Sequence, residues 1–290
     1  MKRFFASAGI ALLALGVSLG SALAQQKKYE APPFVGDCGD SSYKNALANG
    51  ITLGISPSPP YSQIDPATNV ASGLDVEIQQ AVLDWMGVKT IKYEVMPFGQ
   101  LIPAMLSKRI DIVATNIHVT PDRLKVVSFT GPAWWYGPAI IVQKGNPLGI
   151  KSLEDLKGKE VGAVAGSAQD EYARHLGATT TPFQTDAEEF PSIVQGRVKI
   201  VLEDNVLYYN FMKSNPNAPI EIVPNVSLPS ELILGYGYGY ARYATRKEDC
   251  TLRYAYTQGL AELRGDGTIS ALLKKYGLDP LGNLLWFQPK

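Results

Sequence analysis

From Ile51 onward the apolar positions switch repeatedly between strand-like and helix-like spacing. Ile51-Thr52-Leu53-Gly54-Ile55 predicts a strand, closed by a turn at Pro57, Pro59 and Pro60. Leu74, Val76, Ile78, Ala81, Val82 and Trp85 fall close to helical spacing. A strand over Ile91–Val95, a helix over Gly99–Ser107 and a short strand over Ile110–Ala114 follow, with Pro103 blurring where the second helix starts. Strand, helix, strand, helix, strand is the order of an α/β unit with a mostly parallel sheet.

A second such unit opens after Gly145-Asn146-Pro147. Ser152 is placed to cap a short helix with Glu154 and Asp155 in its first turn. Lys159–Val164 predicts a strand, and Ala165-Gly166-Ser167 turns into a helix running to about His175. Asp186–Gln195 predicts a helix interrupted by Pro191, followed by strand Val198–Leu202, helix Asp204–Met212 and strand Ile220–Val223. The alternation Leu234-Gly-Tyr-Gly-Tyr-Gly-Tyr-Ala241 predicts a strand whose small face admits another backbone. It is not a phosphate loop, because its glycines do not open a helix. Helices near Cys250–Leu263 and Thr268–Tyr276 complete the chain. Two α/β units with a return to the first require two crossings, over Tyr136–Val142 and Tyr236–Tyr243, and two extended crossings make a hinge.

The ends and the composition change the picture in two ways. Met1-Lys2-Arg3, the apolar run Phe4–Leu19 and the small-x-small Ala22-Leu23-Ala24 predict a cleaved export signal over residues 1–24. The alternative is a membrane anchor, but the run is short and a polar, Pro-containing stretch follows at once. The mature chain is expected free in an oxidising extracytoplasmic space, with no cysteine beside the cleavage point to carry a lipid. Loss of Lys2 and Arg3 from the 27 basic residues leaves 25 basic against 27 acidic, which argues against a nucleic-acid surface. The two cysteines, Cys38 and Cys250, read as a disulfide in an exported protein. Such a bridge puts both ends of the chain in one lobe, and closing so long a loop contributes about 4 kcal/mol in the chain-entropy account. With two histidines and no Cys-x-x-Cys, neither a metal site nor a cofactor is expected.

Several ordered motifs carry a resemblance. Ile110-Asp111-Ile112-Val113-Ala114 is followed by Thr120-Pro121-Asp122-Arg123 and Val127-Ser128-Phe129-Thr130. Gly73-Leu74-Asp75-Val76-Glu77 precedes them; Leu153-Lys157-Gly158-Lys159-x-Val161-Gly162, Gly166-Ser167 and Gly196-Arg197-Val198 leading to Asp204 come after. From about Gly50 to Leu278 the chain resembles the polar-amino-acid branch of the type II periplasmic solute-binding proteins of ABC importers. The resemblance implies a two-lobed type II α/β fold, each lobe a mostly parallel sheet flanked by helices, with two hinge crossings. Residues 25–137 and 239–290 would form lobe 1 and 138–238 lobe 2. The implied function is capture of an amino acid or related small carboxylate for an inner-membrane ABC permease, by a monomer, without chemistry.

The resemblance also implies site roles. Arg123 would clamp the ligand carboxylate with two parallel donors. Backbone N–H groups near Thr120 and at Gly166, Ser167 and Ala168 would complete a nest at a helix N-terminus. The Thr120 hydroxyl either joins them or caps the helix at Pro121. Asp204 would accept the ligand ammonium, cap the following helix, or both. Phe98 either lies against the ligand or belongs to the core, and Tyr61 is a second wall candidate. Trp134, Trp135 and Tyr136 lie near the hinge. Ser56 stands where the family commonly carries an acidic residue. His118, preceded by Asn116, stands where it often has Ser or Thr, so the side-chain end of the ligand stays open. The rival readings are a cyclohexadienyl dehydratase-like enzyme, with Glu203, Lys199 and His118 as acid–base groups, and a sensory or accessory binding module. Strand alternation predicts that Glu203 points away from the cleft if Asp204 points into it.

Overall fold

The computed structural model describes residues 38–284, so the export signal lies outside the described residues. Along the chain, α1 (Ser42–Asn49) leads into β1 (Ile51–Ile55), and a small ribbon of β2 (Gln63–Ile64) and β3 (Ala71–Ser72) precedes α2 (Leu74–Met86). Then come β4 (Ile91–Val95), α3 (Leu101–Leu106), β5 (Ile112–Val113), α4 (Pro121–Val126) and β6 (Val127–Phe129). The next stretch holds β7 (Pro138–Gln143), β8 (Glu160–Val164), α5 (Ala168–His175), β9 (Thr179–Phe183) and α6 (Asp186–Val194). It continues with β10 (Ile200–Asp204), α7 (Asn205–Ser214) and β11 (Ile220–Ile222). The chain returns as β12 (Ala244–Arg246), α8 (Cys250–Gly265), α9 (Thr268–Lys275) and α10 (Pro280–Leu284).

The strands make two five-stranded sheets, ordered β4-β1-β5-β12-β6 and β11-β7-β10-β8-β9. In the first, β1 runs parallel to β4 and β5, and β12 is antiparallel to both β5 and β6. In the second, β10 and β9 run parallel to β8, while β7 is antiparallel to β10 and β11. Each sheet therefore has four strands in one direction and one opposed, and the opposed strands are the continuations of the two crossings. Each sheet has its own apolar core. Leu101, Met105, Ile110, Val113, Val127 and Ala244 pack in the first, and Ile140, Leu156, Val161, Tyr172, Ile200 and Leu202 in the second.

The helical spacing near Leu74 holds because α2 buries Leu74, Val76, Ile78, Val82, Leu83 and Met86. It ends at Gly87, whose left-handed backbone (φ 83°) lets its N–H reach the Leu83 and Asp84 carbonyls. The Gly-Tyr segment departs from the strand predicted for it. A single π-type turn occupies Glu231–Gly235, and positive φ at Gly237 (54°) and Gly239 (96°) breaks the extended run. What approaches Gly239 closely is a ring: a Cβ there would lie 1.9 Å from Cζ3 of Trp135. The cap near Ser152 also differs. Asp155 reaches back to accept from the backbone N–H groups of Lys151 and Ser152, and only one 3-10 turn, Glu154–Leu156, follows.

The crossings lie side by side rather than as two separate tethers. Ala133 N–H donates to Ala241 O, Ala241 N–H to Trp134 O, and Tyr136 N–H to Gly239 O. The disulfide Cys38–Cys250 is present, with its Cα atoms 5.5 Å apart, and it fixes the N-terminal segment to the start of α8. Asp40 reinforces the junction by accepting from the Thr251 backbone N–H (2.9 Å) and hydroxyl (2.7 Å).

Candidate ligand-binding site

The carboxyl ends of β1, β5, β8 and β10 converge on one pocket, the place where open α/β sheets hold ligands. From the first sheet come Ser56, Ser58 and Tyr61 after β1, Thr115, Asn116 and His118 after β5, and Phe98. From the second come Ser167 and Gln169 at the start of α5, Asp186 at the start of α6, and Glu203 and Asp204 at the end of β10. The cavity measures about 40 Å³, room for a few water molecules.

Seven of the ten residues predicted for the site line this pocket: Ser56, Tyr61, Phe98, Asn116, His118, Ser167 and Asp204. Thr120, Arg123 and Ala168 do not. Thr120 is the N-cap of α4, its hydroxyl accepting from the Arg123 N–H at 3.3 Å. Arg123 is buried, with Nη1 on the His118 carbonyl (2.7 Å), Nη2 on the Gly166 carbonyl (2.8 Å) and Phe98 beneath it at 5.4 Å. Its guanidinium thus bridges the two halves of the chain beside the pocket. Burial pulls its pKa down to about 10, so it stays charged near neutral pH. The nest at Gly166–Ala168 is partly occupied: Gly166 N–H donates to Asp170 and Ser167 N–H to Val164 O. Ser167 caps α5 through Asp170 N–H.

His118 stacks on Tyr238 at 4.0 Å and meets the edge of Tyr136 at 5.2 Å. Burial, with the Arg123 and Arg242 charges adding to it, pushes the imidazole well below its usual range, so the ring is neutral. Its Nε2 and the Asn116 Nδ2 are buried without a hydrogen-bond partner among the described residues. Asn116 is held by a hydrogen bond from Tyr136 OH to its Oδ1 and by its own N–H on Asp75.

On the second-sheet side the pocket is acidic. Asp204 accepts from Gln169 Nε2 (3.1 Å) and Tyr238 OH (3.2 Å), and its side chain makes no cap to α7. Glu203 also faces the pocket, against the alternation expected of strand neighbours. Its Oε2 curls back to accept from the Asp204 N–H (2.5 Å) and from Gln169 Nε2 (3.0 Å), which brings the long side chain round to the pocket. Asp186 and Glu189, both in the first turn of α6, bring carboxylate oxygens within 4.8 Å of Glu203 and of each other. All four acids are pushed upward, first by burial and then, for Glu189, Glu203 and Asp204, by one another's charge. Among the described residues, none of the four is in an ion pair. Asp186, Glu189 and Gln169 were not predicted for the site. Acids in a first helical turn read as partners of the helix dipole, and nothing local distinguishes them from that role.

Fold and pocket together define a two-sheet α/β protein with a polar ligand site between its halves. The profile of the bacterial extracellular solute-binding proteins, family 3, matches residues 51–279, and the chain belongs to that family. Among its relatives is the lysine/arginine/ornithine-binding periplasmic protein of Escherichia coli (strain K12), 28% identical over 81% of this chain and 90% of that protein. An ancestral arginine-binding protein solved with arginine superposes with TM-score 0.67 at 32% identity, covering 78% of this chain and 97% of that one. An ancestral amino acid-binding protein described as a precursor of cyclohexadienyl dehydratase superposes with TM-score 0.68 at 26% identity, over 81% and 99% of the two chains. Among the described residues no helix is long and apolar enough to cross a membrane.

Proposed function

We propose that this protein is an extracytoplasmic solute-binding protein that captures an amino acid or related small carboxylate and delivers it to an inner-membrane ABC permease. One observation carries the reading. Buried polar groups from both sheets, Asn116 and His118 on one side and Asp204 on the other, converge on a single pocket between them. The chain acts as a monomer. Residues 25–137 with 239–290 move against 138–238 about the paired crossings, and a ligand that touches both sides favours closure. Arg123 exchanges the Gly166 carbonyl for the ligand carboxylate as the halves open and reclose. Asp204 takes the ammonium.

A thermal-shift screen against amino acids, amines and small carboxylates tests this, since a ligand raises the midpoint with its occupancy of the folded state. Arg123→Ala is expected to lower affinity for a carboxylate ligand by about a hundredfold while the fold survives. Unchanged affinity removes Arg123 from the site. The dehydratase reading draws on Glu203 facing the pocket, where burial and the neighbouring carboxylates push its carboxyl well above the usual range. Incubation with prephenate or arogenate is expected to give no turnover, and turnover would make Glu203 the proton donor.

A further inference from the structure

We propose that Asp186, Glu189 and Glu203 form a second cationic subsite, separate from Asp204, which holds a second ammonium or a guanidinium of the same ligand. The ligand class is then a molecule with two positive centres: a basic amino acid or a diamine. The inference rests on the pocket being a ligand site, and deepens that reading.

The geometry carries it. The three carboxylates reach toward one point from two segments, β10 and the first turn of α6, with oxygens within 4.8 Å of one another. Glu189 has no solvent exposure, and neither of its oxygens has a hydrogen-bond partner among the described residues. A buried carboxylate left so is costly unless a donor arrives. Asp186 and Glu203 line the pocket, and Glu189 lies just behind them. The subsite is therefore continuous with the cavity that Asp204 borders. The first-sheet side offers only neutral groups there, with Ser56 and Ser58 hydroxyls, Tyr61 and the Asn116 amide. All the carboxyls of the pocket are on one wall, and they outnumber what one ammonium at Asp204 engages. An ammonium has three donors for three carboxylates. A hard divalent cation completes its shell with water, so three carboxylates do not by themselves exclude one, and the metal titration below separates the two occupants.

Calorimetric titration with L-lysine, its uncharged counterpart L-norleucine, and cadaverine tests the subsite in the wild type and in Glu189→Gln. Asp186→Asn serves as the second variant should the first fail to fold. Lysine is expected to bind about tenfold or more tighter than norleucine in the wild type, and the variant loses that preference while norleucine affinity stays the same. Cadaverine binding that depends on Glu189 supports the subsite even if no amino acid binds, and in that case the carboxylate-capture reading fails alone. Equal affinities for lysine and norleucine in the wild type overturn the subsite and leave amino-acid capture standing. So does a preference that survives in both variants. Absence of binding by all three probes overturns the subsite as well. Binding of Ca²⁺ or Mn²⁺ alone to the wild type, lost in Glu189→Gln, overturns it in favour of a metal site.

Discussion

Asp75 and Glu189 are both acidic residues near the start of a helix, and both are fully shielded from solvent. Asp75 accepts from Trp134 Nε1 (3.0 Å), Tyr243 OH (3.0 Å) and Asn116 N–H (3.1 Å). Trp134 lies just before one crossing and Tyr243 at the end of the other, so a single carboxylate fastens the chain beside both crossings and the loop after β5 to α2. Glu189 accepts nothing among the described residues, and the carboxyls of Asp186 and Glu203 lie within 4.8 Å of it. Burial is the same in the two places, and satisfaction differs completely. A buried acid with a full set of donors is part of the framework, whereas one without donors marks a place where something else must supply them.

Removing the framework acid should have the largest effect. Asp75→Ala leaves three buried donors unpaired and is expected to cost about 3 kcal/mol or more, read as a drop in urea midpoint. A variant as stable as the wild type breaks the comparison at once. The next effect is one of pH. Burial pushes the Asp75 carboxyl up from 3.8 to about 6, even against the pull of its hydrogen bonds. A group raised in the native state holds its proton more tightly there, so stability falls as pH rises from about 4 to about 6, by up to about 3 kcal/mol. The four pocket acids are raised too and add slope of the same sign. Asp40 opposes them at lower pH. Despite burial, its hydrogen bonds from Ser42 and Thr251 pull it down to about 2, so its contribution is present above about pH 4 and lost as the pH falls towards 2. Unfolding midpoints across this range, with Asp75→Asn removing part of the slope, check the assignment; an unchanged slope in that variant refutes it.

The smallest effect has the opposite direction. Glu189→Gln in the ligand-free protein is expected to raise stability by about 1 kcal/mol, because a neutral amide replaces a buried carboxyl that has no donor and whose ionisation burial and the nearby carboxylates oppose. Destabilisation of similar size would mean that Glu189 has a structural partner, and the two acids would then be alike.

The regular elements were readable wherever a local period was long enough. The spacing of Leu74, Val76, Ile78 and Val82 foretold α2, and the strand, helix, strand order foretold an α/β fold with a chain return. The cysteine pairing followed from count and compartment. The Gly-Tyr run was misread because a period of two is also what alternating glycines produce in a turn, and only the packing of Trp135 on Gly239 shows that positive φ is required. Alternation describes where the side chain of Glu203 starts and not where it ends, and its length lets it curl back to the Asp204 N–H and reach the pocket.

What the sequence determined by itself is therefore the family, the element order and most of the first-sheet side of the pocket, where Asn116, His118 and Phe98 lie in recognisable local motifs. The tertiary structure alone decided that Arg123 spans to Gly166, that Asp75 gathers both crossings, and that Asp186, Glu189 and Glu203 meet. The reason is physical. Periodicity and caps are local, set by neighbours within a few residues. The charge and satisfaction of a buried group depend on which distant segments the sheets bring against it.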